Sequence, residues 1–145
     1  RAFDKIEGWR HGVAHSADVL MQLSLNDKIS VELRRQMLAA IATQVSPFEH
    51  FYNYGEPARL ARPVLFIAMQ GTIAEDEWMK WLTDISKPRP EISSWDDAFS
   101  SQAGLAKRHN LTAFLSALHL NATSSDNENV KALMPGLTAA IRELP

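Results

Sequence analysis

Apolar residues recur at three- and four-residue intervals along most of the chain, the period of one helical face, and nowhere alternate with polar residues over a β-branched run. From about Asp4 to Leu23, Ile6, Trp9, Val13, Ala17 and Leu20 mark such a face, and Ala14, Val19, Met21 and Leu23 widen it until only a narrow polar strip is left. A helix so apolar is expected to lie between neighbours. Ser30 suits the N-cap of a second, half-exposed helix, with Leu33, Met37, Leu38, Ile41 and Val45 inward and Glu32, Arg35, Gln36 and Thr43 outward.

Between Ser46 and Glu56, Pro47 and Gly55 break the periodicity while Phe48, Phe51, Tyr52 and Tyr54 supply apolar bulk, which predicts a packed aromatic loop. Pro57 fits the first turn of a third helix running to about Gln70, and Pro63 inside it is expected to kink or split it. An acidic first turn predicts a fourth helix from Glu75 to Ile85, buried through Trp78, Trp81, Leu82 and Ile85. Ser94 is expected to cap a short turn or helix carrying Trp95 and Phe99. A long helix follows from about Ala103 to Leu120 with Leu105, Leu111, Phe114, Leu115 and Leu118 inward. After a polar loop, Val130, Leu133, Met134, Leu137 and Ile141 define a last helix that Pro135 bends or delays.

The expected class is therefore all-α without a sheet. Short connections between successive helices suggest an irregular array of antiparallel helix pairs, HEAT- or armadillo-like with a right-handed superhelix, and a compact helix bundle is the alternative. Residues 1–145 read as one domain, since Lys87-Pro88-Arg89-Pro90 is the best linker but too short to divide it. The chain opens at Arg1 without an initiator methionine, which suggests trimming at the amino terminus.

Composition narrows the partners. Fifteen Lys and Arg against seventeen Asp and Glu give a formal charge of −2, without the basic excess that attraction to nucleic acid or an anionic membrane needs. The longest apolar run, Pro63 to Met69, falls far short of the roughly 20 residues of a membrane span. With no cysteine there is no disulfide framework, thiol nucleophile or thiolate metal site, which suits a cytoplasmic location.

Four residues of the polar strip on the first helix, His11, His15, Asp18 and Gln22, fall within about 60° of one another at 100° per residue. Two imidazoles one turn apart with a carboxylate beyond could hold a divalent metal such as zinc, with Glu49 or Glu56 as base; the other reading is that they hydrogen-bond loop backbone or brace neighbouring helices. Gly12 stands where a zinc protease of the HExxH type would carry its glutamate, so that mechanism is excluded. Glu49, His50, Tyr52, Tyr54, Glu56, Arg59 and Arg62 crowd around the aromatic loop. Arg59 and Arg62 could orient an anionic or peptide ligand or brace the loop through ion pairs. Lys107-Arg108-His109-Asn110 reads as a solvated basic face, the two N-x-T sequences at Asn110 and Asn121 as chance, and the four Trp as core wedges.

The run Gly8-Trp9-Arg10-His11-Gly12-Val13-Ala14-His15-Ser16-Ala17-Asp18-Val19-Leu20 resembles the GW-x-H-x-x-AH-x-AD-x-L signature of the bacterial domain-of-unknown-function 2785 family. Gly55-Glu56 with Arg59-Leu60-Ala61, Glu77-Trp78 with Trp81-Leu82, and Gly104 to Leu111 with Phe114-Leu115 are similar to its other blocks, in the same order. The chain departs from the pattern at Pro57 and Pro63. The resemblance implies a bacterial, cytoplasmic, repeat-like helical protein and carries over no catalytic residue.

The first expectation is a binding or scaffolding module without a cofactor, whose groove, lined by His11, His15, Asp18, Gln22, His50, Tyr54, Glu56 and Arg59, takes a protein, peptide or small ligand. The alternative is a metal-dependent hydrolase or metal-binding protein using His11, His15 and Asp18.

Overall fold

A computed structural model describes residues 3–88 and 90–145, so Arg1 and Arg89, on which the trimming and linker readings touch, lie outside the described residues. The described chain is mostly helical, as its periodicity predicts, with one correction at the start. Residues 3–9 form a small antiparallel hairpin, β1 (Phe3–Asp4) paired with β2 (Gly8–Trp9), where helix and no sheet were expected. The reason is local. The Asp4 carboxylate accepts hydrogen bonds from the Ile6 and Glu7 N–H groups at 2.9 and 3.1 Å, and Gly8 turns the chain back at φ 80°. An Asx turn followed by a left-handed glycine outcompetes the helix. Ile6, on the expected apolar stripe, is 96% exposed at the tip.

The helices are α1 (Gly12–Ser24), α2 (Val31–Val45), α3 (Glu56–Met69), α4 (Glu75–Ile85), α5 (Gln102–Thr123), α6 (Glu128–Lys131) and α7 (Met134–Arg142), with a 3-10 turn over Asp96–Ser100. Four lie side by side, α1 on α3, α3 on α5 and α5 on α7, while α2 packs on α1, α3 and α5 and α4 packs on α7. The Arg35 guanidinium of α2 meets Glu77 of α4 at 2.6 Å, and Trp81 Nε1 donates to the Leu38 carbonyl at 3.1 Å. Arg35 holds the Glu77 carboxyl below the usual carboxylate range.

The centre belongs to α3, which buries Leu60, Ala61, Pro63, Val64, Ile67 and Ala68 and runs unbroken through Pro63. Proline there removes the hydrogen bond to the Arg59 carbonyl. Burial on several sides offsets that loss, so the expected split does not occur. The expected surround of α1 is also corrected: only Ala14, Ala17 and Ser24 are buried, and Val19 and Leu23 face outward. Two alanines are fully buried and Val13 and Leu20 only partly so, which makes α1 an edge helix. Its carboxyl end meets Arg34 of α2, a buried cation donating to the Asn26 carbonyl at 3.2 Å, in the place where the helix dipole favours positive charge.

At the other end, Pro135 lies in the first turn of α7 and separates it from α6, the later start that the sequence suggests. Ser94 caps the 3-10 turn, as predicted, through a reciprocal exchange with Asp97: each backbone N–H reaches the other's side-chain oxygen, at 2.9 and 3.3 Å. Lys107 corrects the reading of a solvated basic face. It is buried, and its ammonium meets the Glu91 carboxylate at 2.7 Å.

The loop between α2 and α3 packs inward, and its buried backbone needs partners. Asn110 of α5, fully buried, supplies them: its Oδ1 accepts from the Tyr52 N–H at 2.9 Å, and its Nδ2 donates to the His50 carbonyl at 2.6 Å and the Pro47 carbonyl at 3.5 Å. Arg59 and Arg62, expected to brace this loop, do not. Arg59 reaches Asp18 of α1 instead, and Arg62 is exposed on α3. Asn110→Ala should therefore cost about 2–3 kcal/mol in urea unfolding, because buried loop groups lose their partners, and should raise hydrogen exchange at Tyr52 before the rest of the chain.

Candidate functional site

The hairpin, the start of α1, the aromatic loop and the start of α3 meet at one end of the molecule. Gly55 adopts the left-handed conformation, φ 89°, and so sets Glu56 as the first residue of α3. Glu56 is buried, only 3% exposed. One carboxylate oxygen accepts from the Tyr54 N–H at 2.9 Å and the other from Trp9 Nε1 at 3.4 Å. Glu56 thus ties the hairpin to the loop. Tyr52, from the loop's inner side, donates its hydroxyl to the Gln44 carbonyl at 3.0 Å. Burial, and then the nearby Glu56 charge, push its phenol up to about 12.

Rings follow one another along this surface. Phe3 lies 6.2 Å from Tyr54, Tyr54 6.1 Å from Trp9, Trp9 4.6 Å from His11 and His11 4.0 Å from His15, measured between centroids. Beside them opens a cleft of about 290 Å³ lined by Arg10, His11, Gly12, Val13, Gln44, Pro47, His50, Tyr52 and Glu56. Gly12, Val13 and Gln44 also line a neighbouring groove of about 540 Å³ between α1 and α2, where Ala17, Leu20, Ile41 and Leu60 make an apolar surface. A polar mouth therefore continues into an apolar trough.

Of the residues expected to form a groove, the cleft brings together His11, His50 and Glu56. Tyr54 stands behind Glu56, joined to it through its backbone. His15, Asp18 and Gln22 leave the cleft along the outer face of α1, and Arg59 follows Asp18, to which it is paired at 2.5 Å. His11 precedes the helix as its N-cap, so the four-residue ladder begins one residue outside α1. Glu49 is exposed at a left-handed turn, φ 68°, and does not line the cleft. Gln44, Pro47 and Arg10 are cleft residues that sequence reasoning missed. Gln44 stands on the polar side of α2, where periodicity reads only solvent.

The expected metal triad has two of its members in contact, the imidazoles of His11 and His15, tilted at 55° to each other. Asp18 faces a guanidinium, which occupies the carboxylate. Among the described residues no group of three His, Cys, Asp or Glu side chains comes together as it would around an ion. Among them, too, no helix is long and apolar enough to cross a membrane.

Compared with known proteins, residues 1–120 match the model of a family described as protein of unknown function (DUF2785). Neither the curated proteins nor the solved structures give a match.

The raised phenol has a measurable consequence. An acid held protonated by the fold contributes stability that is complete below its unfolded value near 10 and is lost as pH rises through its folded value of about 12. Stability should therefore fall between these limits, and Tyr52→Phe should flatten that fall in urea unfolding while removing the tyrosinate absorbance step near pH 12.

Proposed function

The chain belongs to the DUF2785 family, and from this premise we propose that it is a binding module whose ligand enters the cleft between the hairpin, α1 and the aromatic loop. The carrying observation is convergence: His11 from the start of α1, His50 and Tyr52 from the aromatic loop and Glu56 from the start of α3 meet at one cleft. Pockets that combine an apolar body with few polar groups suit small-ligand or peptide recognition. The trough along α1 and α2 gives a bound segment somewhere to lie.

Helix order supports a HEAT-like arrangement as the frame. With α1, α3 and α5 adjacent in one layer and α2 bonded to α4 in another, the helices alternate between layers as stacked pairs do. A groove at one end of such an array is the surface that scaffolding proteins use. The reading places the protein in the bacterial cytoplasm, supported by the bacterial family it resembles and by the absence of cysteine. A hydrolytic role finds less support, because Asp18 is engaged by Arg59.

Gly12 provides the test. Gly12 lines the cleft and a Cβ added there meets no atom within 4 Å, so a large side chain can be placed at the mouth without displacing the core. In a fragment screen read from the imidazole NMR signals of His11 and His50, Gly12→Trp should keep the helical circular dichroism of the parent and lose at least tenfold in affinity for the hits. Hits that bind the variant equally, or that leave both imidazoles unmoved, would overturn the reading.

A further inference from the structure

Charge accounting at the cleft singles out one group. Arg10 at the mouth is held by Glu7 at 2.7 Å and Asp4 at 3.6 Å, and Arg59 on the far side of α1 is held by Asp18 at 2.5 Å. Glu56 has hydrogen-bond donors but, among the described residues, no cation within ion-pair distance. Both carboxylate oxygens are engaged by N–H donors with no opposite charge beside them, and a carboxylate so placed attracts a cation entering the cleft more strongly than one in open water would.

The surroundings of Glu56 are aromatic. The Trp9 indole N–H and the Tyr54 backbone N–H reach its two oxygens, and the rings of Tyr52, His11 and His50 line the same cleft. Ring faces carry negative potential, so aromatic lining beside a carboxylate favours a positive, weakly hydrated ligand group. The amino end of α1 lies on the opposite wall and presents about half a positive charge, which falls off within its first turn; a full carboxylate charge outweighs it. Resting on the binding reading above, we infer that the cleft takes an organic ammonium group, seated between Glu56 and the rings, with its apolar chain directed into the trough of Val13, Ala17, Leu20 and Ile41.

An ammonium on an apolar chain can be an alkylamine or the amino terminus of a peptide, and both are probed. Titrations of the full chain with n-hexylammonium and with Leu-Leu-amide, read from the His11 and His50 signals, should show binding. Hexanol, hexanoate and the N-acetylated dipeptide should bind at least tenfold more weakly. Preference for hexylammonium alone would point to an alkylamine, and preference for the dipeptide to a peptide terminus. Glu56→Gln should weaken both amines at least tenfold. The wild-type ranking of amine over alcohol and acid needs no variant, so it decides the matter even where that substitution disturbs the hairpin. Equal or tighter binding of hexanol or hexanoate would remove the ammonium assignment and leave the binding cleft standing. Failure of every probe to move either imidazole would overturn the ammonium assignment, and the Gly12→Trp screen would then decide separately on the cleft.

Discussion

One buried amide holds the site in place. The loop between α2 and α3 carries aromatic bulk into the interior, and its backbone cannot follow unless its polar groups are met there. Asn110 meets three of them from the middle of α5. Once residues 47, 50 and 52 are fixed, Tyr52 faces Gln44, Gly55 can turn, and Glu56 starts α3 beneath the hairpin. Without that amide the loop would have to choose between burying its rings and hydrating its backbone.

The two ends of the loop are secured by different physics. Its inner part rests on a neutral, fully satisfied network, where each missing partner leaves a buried group exposed to the desolvation penalty. Its outer part rests on Glu56, a buried charge that binds two N–H groups from segments 47 residues apart in one case and two in the other. The same carboxylate therefore has a structural duty and an electrostatic surplus. Structural charges are usually neutralised by an opposite charge, as Arg59 neutralises Asp18 and Glu91 neutralises Lys107. The contrast with Glu56 is what gives the cleft its character.

Helix positions were legible because burial imposes a period that neighbours cannot disguise. Ser30, Glu75 to Ile85 and Pro135 each behave as local chemistry dictates, since caps, acidic first turns and proline act within one turn of chain. The hairpin is hidden for a related reason: Ile6, Trp9 and Val13 share helical spacing by accident, and that spacing masks the turn made by Asp4 and Gly8. Lys107 and Arg34 were unreadable as buried residues, because a charged side chain reveals its burial only when the partner that satisfies it is known. Of the candidate site, His11, His50 and Glu56 were within reach of the sequence, whereas Gln44 and Pro47 became cleft residues only through the packing of α2 and the loop against α1.

The sequence by itself determined that the chain is helical, where most helices start and stop, and that chemistry-bearing residues gather near the first helix and the aromatic loop. These are consequences of short-range periodicity and of side chains acting on their own backbone. Tertiary structure alone decided which face of α1 is covered, that Asp18 belongs to Arg59, and that Glu56 is buried with, among the described residues, no cation at ion-pair distance. Those outcomes depend on which distant groups meet, and a pairing energy between residues far apart in the chain leaves no periodic trace in either segment.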